Sequence, residues 1–123
     1  MRDSVLRKKS FGFAVRVVNL YKYLCEKKKE FILSKQVLRS GTSVGAMIRE
    51  AMHSESKADF IHKLSIAQKE MNETIYWLEL LKETDYISSK EFQSIHGDAL
   101  EIIKIIASSI ITLKSKLPPA TSL

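Results

Sequence analysis

Apolar side chains recur along this chain at the three- and four-residue intervals of a helix, in four separate runs. In the first, over residues 10–26, Phe11, Ala14, Val18, Tyr21 and Cys25 fall at spacings of 3-4-3-4, with Val17, Leu20 and Leu24 widening the face. In the second, over residues 34–53, Val37, Gly41, Val44, Ile48 and Ala51 follow at 4-3-4-3, with Ser34 expected as the N-cap. The third holds the longest unbroken seam: Phe60, Leu64, Ala67, Met71, Thr74, Leu78 and Leu81. Ser56 with Asp59 resembles a capping box at its start. In the fourth, Ser88 with Glu91 forms a second capping box, and Phe92, Ile95, Ala99, Ile102, Ile106 and Leu113 line one face.

Short links between runs of this length make consecutive helices antiparallel. The expected fold is all-α, an up-down-up-down four-helix bundle. Its expected limits are residues 10–117, preceded by a flexible basic N-terminus over 1–9. A tail over 118–123 follows, where Pro118-Pro119 stops the last helix. Ile103, Ile105, Ile110 and Ile111 fall off the fourth seam, which implies either a wide core stripe or a self-association surface. Gly97 sits inside the fourth helix, where it costs about 1 kcal/mol against Ala.

Composition agrees with this class. In 123 residues there are only 4 Gly and 2 Pro, with 45% hydrophobic and 28% charged residues. The lone Cys25 excludes an internal disulfide framework and fits a reducing compartment. The opening residues carry charges where a signal peptide needs an apolar run, so the expected location is cytoplasmic.

Charge changes the picture more. Residues 1–39 carry 11 Lys/Arg against 3 Asp/Glu, so the whole net charge of +6 arises in the first third of the chain. Such a balance suits a polyanionic partner. The candidate phosphate contacts are Arg7, Lys8, Lys9, Arg16, Lys22, Lys27, Lys28, Lys29 and Lys35. Aromatic residues are interleaved with them. Phe11 and Tyr21 belong to the apolar seam, which leaves Phe13 and Tyr23 as the candidates for base stacking.

No catalytic set emerges. His53, His62 and His96 have no partners at metal-ligand spacing, and Cys25 on the apolar face reads as an inert thiol. Neither a metal nor another cofactor is expected. Gly41-Thr-Ser-Val-Gly45 lacks the Lys-Ser/Thr of a phosphate loop and is read instead as a pair of helix-packing glycines. A tight hairpin turning near residue 55 would bring Arg39 near Glu73, Glu50 near Lys63, and Ser43 near Glu70. Arg39, Glu50, Lys63, Glu70 and Glu73 are read as a structural ion-pair network rather than an acid/base or cation site.

The segment Arg39-Ser-Gly-Thr-Ser-Val-Gly-Ala-Met-Ile-Arg-Glu-Ala51, followed by Ser56-Lys-Ala-Asp-Phe-Ile-His-Lys-Leu-Ser-Ile-Ala-Gln-Lys-Glu-Met-Asn-Glu-Thr-Ile-Tyr-Trp-Leu-Glu-Leu-Leu81, resembles the four-helix-bundle proteins encoded in intervening sequences of bacterial 23S ribosomal RNA genes. Phe11 to Leu24 resembles that family's opening helix, and the likeness extends over about residues 10–117. Met47 departs from it, since the family more often has Asn there. The resemblance implies a ring-shaped homopentamer without enzymatic activity. It also implies kinship with the accessory variability protein of diversity-generating retroelements, which works with RNA and a reverse transcriptase. The expected function is therefore non-enzymatic binding of RNA or DNA through a basic surface. The alternative is a protein–protein adaptor ring that docks a partner such as a reverse transcriptase.

Overall fold

The structure is a computed structural model that describes residues 2–118, with side chains from Val5 onward. It is a bundle of four helices: α1 (Arg2–Lys27), α2 (Leu33–Ala51), α3 (Lys57–Glu83) and α4 (Ser89–Ser115). Each helix packs on its neighbours in chain order, and α1 returns to α4, where contact is sparsest. No strand occurs among the described residues.

The α2 and α3 seams match the periodicity closely, and on α4 Ile95, Ala99, Ile102 and Ile106 are buried as expected, with Phe92 and Leu113 half-buried. Val37, Gly41, Val44, Ile48 and Ala51 are all buried on α2. On α3 the buried row is Ile61, Leu64, Ala67, Met71, Thr74, Leu78 and Leu81, so Ile61 takes the place expected for Phe60. Thr74 is tolerated in this row because its hydroxyl donates to the Glu70 carbonyl (2.8 Å) and pairs with the Ser40 hydroxyl (2.9 Å). Ser88 and Glu91 form the complete capping box expected at the start of α4. At α3, Ser56 accepts from the Asp59 amide (3.1 Å), while the Asp59 carboxylate turns to Lys63 (3.2 Å).

α1 departs from expectation. It begins at Arg2, not near Ser10, and its buried row is Leu6, Ser10, Phe13, Val17 and Leu24. Phe11, expected in the core, is 58% exposed, whereas Phe13 is 2% exposed and cannot stack on a base. Ser10 fits the core because its hydroxyl donates to the Arg7 carbonyl (3.1 Å). The residues of the expected basic arm thus include one core side chain, Leu6. The expected tail lies outside the described residues except for Pro118.

The apolar surplus on α4 is smaller than its composition suggests. Ile110 is buried, Ile103 and Ile105 pack against the core, and of these four only Ile111 stands in solvent. Other large apolar groups are exposed elsewhere, on α1 (Phe11, Val15), α3 (Tyr76) and α4 (Leu100).

Gly41 and Gly45 lie where α2 meets α1. A Cβ on Gly41 would come within 2.8 Å of both Val17 methyl carbons, and one on Gly45 within 3.3 Å of the Ser10 carbonyl oxygen. These glycines let the two helices approach nearly backbone to side chain. Gly97 is the opposite case: a Cβ added there would meet nothing within 4 Å. Gly41→Ala should therefore destabilise the fold by about 1–3 kcal/mol through overpacking. The loss should shrink in a Val17→Ala background, because the two sites are coupled. Gly97→Ala should stabilise by up to about 1 kcal/mol, since only backbone entropy changes. Urea unfolding midpoints of the four variants read all three effects.

Candidate nucleic-acid interface

α1 ends in a run of lysines, and the turn that follows is tightly built. Lys29 adopts a left-handed backbone (φ 54°), and the Glu30 amide donates back to the Leu24 carbonyl (3.0 Å). The Glu30 carboxylate then accepts from the amides of Ile32 (3.2 Å), Leu33 (3.0 Å) and Ser34 (2.7 Å). These amides open α2 and have no partner within the helix, so a carboxylate satisfies them and also meets the positive end of the helix dipole. Ser34 is not the N-cap. It is buried, donating to the Glu30 carbonyl (2.8 Å) with its oxygen 3.7 Å from the Cys25 sulfur. Cys25 itself is only half-buried.

Burial pushes the Glu30 carboxyl upward, but the amide bonds from Leu33, Ser34 and Ile32 outweigh it and hold the group below the usual carboxylate range. The carboxylate that follows the lysine run thus stays ionised but is held on the start of α2, while Glu26, which precedes the run, is exposed.

The turn leaves Lys27, Lys28, Lys29 and Lys35 exposed at one end of the bundle, with Lys22 exposed a turn and a half earlier on α1. Among the described residues none of these five enters a salt bridge. The Lys28 ammonium lies 5.9 Å from the centre of the Tyr23 ring and helps hold the Glu91 carboxyl down, after the stronger pull of Ser88. Tyr23 is half-buried with a lysine over its face, so it is a poor stacking platform.

The other cations proposed from sequence lie elsewhere. Lys9 pairs with Glu101 (2.6 Å), and Arg16 with Asp98 (2.7 Å) and Ser94 (3.0 Å), both across the α1–α4 flank. Arg7 and Lys8 are exposed near the far end of α1, about 30 Å from Lys27 at 1.5 Å per residue. The basic third of the sequence is therefore two separate patches and two neutralised positions.

Arg39 reaches both Glu70 (3.2 Å) and Glu73, and Glu73 also accepts from the Trp77 indole N–H (3.0 Å). The Trp77 bond first, then Arg39, lowers the Glu73 carboxyl against the opposing effect of burial. Lys63 pairs with Asp59 rather than Glu50, and Ser43 donates to the Arg39 carbonyl (2.8 Å). Among the described residues, no three His, Cys, Asp or Glu side chains are grouped to hold a metal. No described helix is long and apolar enough to cross a membrane.

Two residues at the turn escaped the sequence reading. Phe31 is 52% and Ile32 74% exposed, directly after the lysine run. They lie between two helical periods, so no seam includes them. Two large apolar residues in a link that should be polar were the one signal that could have found them.

The class is now clear: a four-helix bundle with a lysine-rich turn at one end. The chain belongs to the family of 23S rRNA-intervening sequence proteins, whose profile matches residues 2–108. It is also similar to the crystal structure of a protein of unknown function from the S23 ribosomal protein family of Bacteroides thetaiotaomicron VPI-5482. That similarity has a TM-score of 0.89 and 58% identity, covering 89% of this chain and 98% of the other. No curated protein matches the chain.

The Glu30 clasp should carry stability that depends on pH. Its folded pKa lies below the unfolded one, so the stabilisation is complete above the unfolded value and lost as pH falls through the folded value. Glu30→Gln should cost about 1–2 kcal/mol at pH 7. The gap from wild type should narrow as the solution is acidified below the carboxylate range, measured by urea unfolding at a series of pH values.

Proposed function

We propose that this protein is a non-enzymatic, cytoplasmic, homo-oligomeric bundle that binds RNA, or nucleic acid generally, through phosphate contacts at the α1–α2 turn. The observation that carries the reading is the set of Lys22, Lys27, Lys28, Lys29 and Lys35: exposed, close in sequence around one bundle end, and outside any salt bridge among the described residues. A cation already paired gains little from a phosphate, whereas a free lysine releases the phosphate's counterion. Lys9 and Arg16 accordingly leave the candidate set, and Arg7 and Lys8 form a second, smaller patch. Of the acids weighed for chemistry, Glu70 and Glu73 both face Arg39, which supports a structural role for them, while Glu50 is exposed and outside that network.

Self-association is supported by the outer apolar side chains. Phe11 and Val15 share the outer face of α1, and Tyr76, Leu100 and Ile111 stand out on α3 and α4. A ring of five copies, as the family resemblance implies, would repeat the lysine turn five times and strengthen its field. The same apolar faces favour a second reading, a scaffold that docks a protein partner. On that reading a complex survives removal of the lysines.

Two measurements test these claims. In titrations of labelled RNA at several salt concentrations, Lys27/Lys28/Lys29→Ala should weaken binding and reduce the slope of log K against log salt by about 2–3. Affinity indifferent to salt and to the substitution would remove the nucleic-acid reading. By light scattering at micromolar concentration the mass should be a multiple of 14.0 kDa, and Phe11→Glu/Val15→Glu should reduce it. A monomeric wild type would end the oligomer proposal.

A further inference from the structure

The apex of the lysine turn presents two apolar side chains on a fixed backbone. Phe31 and Ile32 are 52% and 74% exposed. The turn beneath them is pinned on both sides, by the Glu30 amide on Leu24 and by the Glu30 carboxylate on the amides of Ile32, Leu33 and Ser34. Their exposure is therefore built in, since the same bonds that start α2 direct the two side chains away from the core. Four exposed lysines flank them within nine residues of sequence: Lys27, Lys28, Lys29 and Lys35.

We propose that Phe31 and Ile32 form an apolar wedge that packs against unpaired bases of an RNA, with Phe31 stacking on a base while the flanking lysines hold the neighbouring phosphates. This rests on the nucleic-acid reading above and adds the ligand's form to it. A flat ring beside cations outside any salt bridge matches the two parts of a nucleotide, its base face and its phosphate. A paired RNA helix hides its base faces, and its deep, narrow major groove does not admit side chains. The wedge therefore selects loops, bulges or single strands. An anionic lipid surface would satisfy the same lysines, but surface-bound segments bury a whole amphipathic face, and two adjacent side chains offer little area for that. The assignment also replaces Phe13, which is in the core, and Tyr23, which lies under Lys28.

The test uses the full chain and three probes: a hairpin RNA with a large unpaired loop, the same stem as a continuous duplex, and phosphatidylglycerol vesicles. Wild type should prefer the hairpin to the duplex. Phe31→Ala should lose about tenfold in affinity for the hairpin, with the duplex affinity and the salt slope unchanged, and Phe31→Trp should keep the preference. Lys27/Lys28/Lys29→Ala should instead weaken both RNA probes and flatten the salt slope. Because Phe31 is exposed, an unchanged circular-dichroism spectrum and light-scattering mass should accompany the loss. Equal hairpin affinity for Phe31→Ala and wild type overturns the wedge while leaving the charge-driven binding intact. No binding of either RNA by wild type overturns both. A Phe31→Ala variant that falls out of the oligomer assigns the apex to contacts between copies, and one that loses only vesicle binding assigns it to lipid. Either result overturns the proposal.

Discussion

The lysine-rich end depends on how one carboxylate is used. Glu30 directly follows Lys27, Lys28 and Lys29 in the chain, where an unconstrained side chain could pair with one of them. Folded, it closes the start of α2 by accepting three backbone amides. That arrangement joins α1 to α2 in a short, defined turn and directs the acid inward. The lysines are left as a net positive surface, outside any salt bridge among the described residues. A structural requirement, satisfying the free amides of a helix, thus keeps this carboxylate out of a salt bridge with the lysines beside it.

The same hairpin shows close packing assisting the turn. Val17 lies against Gly41 and the Ser10 backbone against Gly45, so α1 and α2 are locked face to face along the length the turn joins. A side chain at either glycine would push the helices apart and alter the angle at which the turn is presented. Arg39 fastens α2 to α3 from the outside through Glu70 and Glu73. Both contacts are exposed enough that they serve register more than stability.

The fold was legible in the sequence wherever a helix has one apolar face. α2, α3 and α4 each do, and their buried rows agree with the spacing to within a residue or two. α1 does not. Between Phe11 and Leu20 it carries apolar residues in most positions, so two helical rows fit, one through Phe11 and Val18 and one through Phe13 and Val17. The second row is the buried one, and it continues through Ser10 to Leu6. A polar residue and a basic setting hid it, and only the local bond from Ser10 to the Arg7 carbonyl makes the serine acceptable inside. The site was less legible, for a related reason. Charge could be counted along the chain, but whether a lysine meets an acid across a helix interface depends on tertiary register. Lys9 and Arg16 looked the same as Lys27 in sequence and are paired in the structure.

As Arg39 fastens α2 to α3, those two pairs fasten the α1–α4 flank from outside. Contact there is sparsest, and it is held from outside by Lys9–Glu101 and Arg16–Asp98, all partly open to water. Ions screen such attractions while leaving interdigitated aliphatic groups nearly untouched. The cylinder therefore has a zip along one side, formed where the first and last helices meet. Raised ionic strength weakens those outer ties, so this least packed flank is where the first and last helices part most readily.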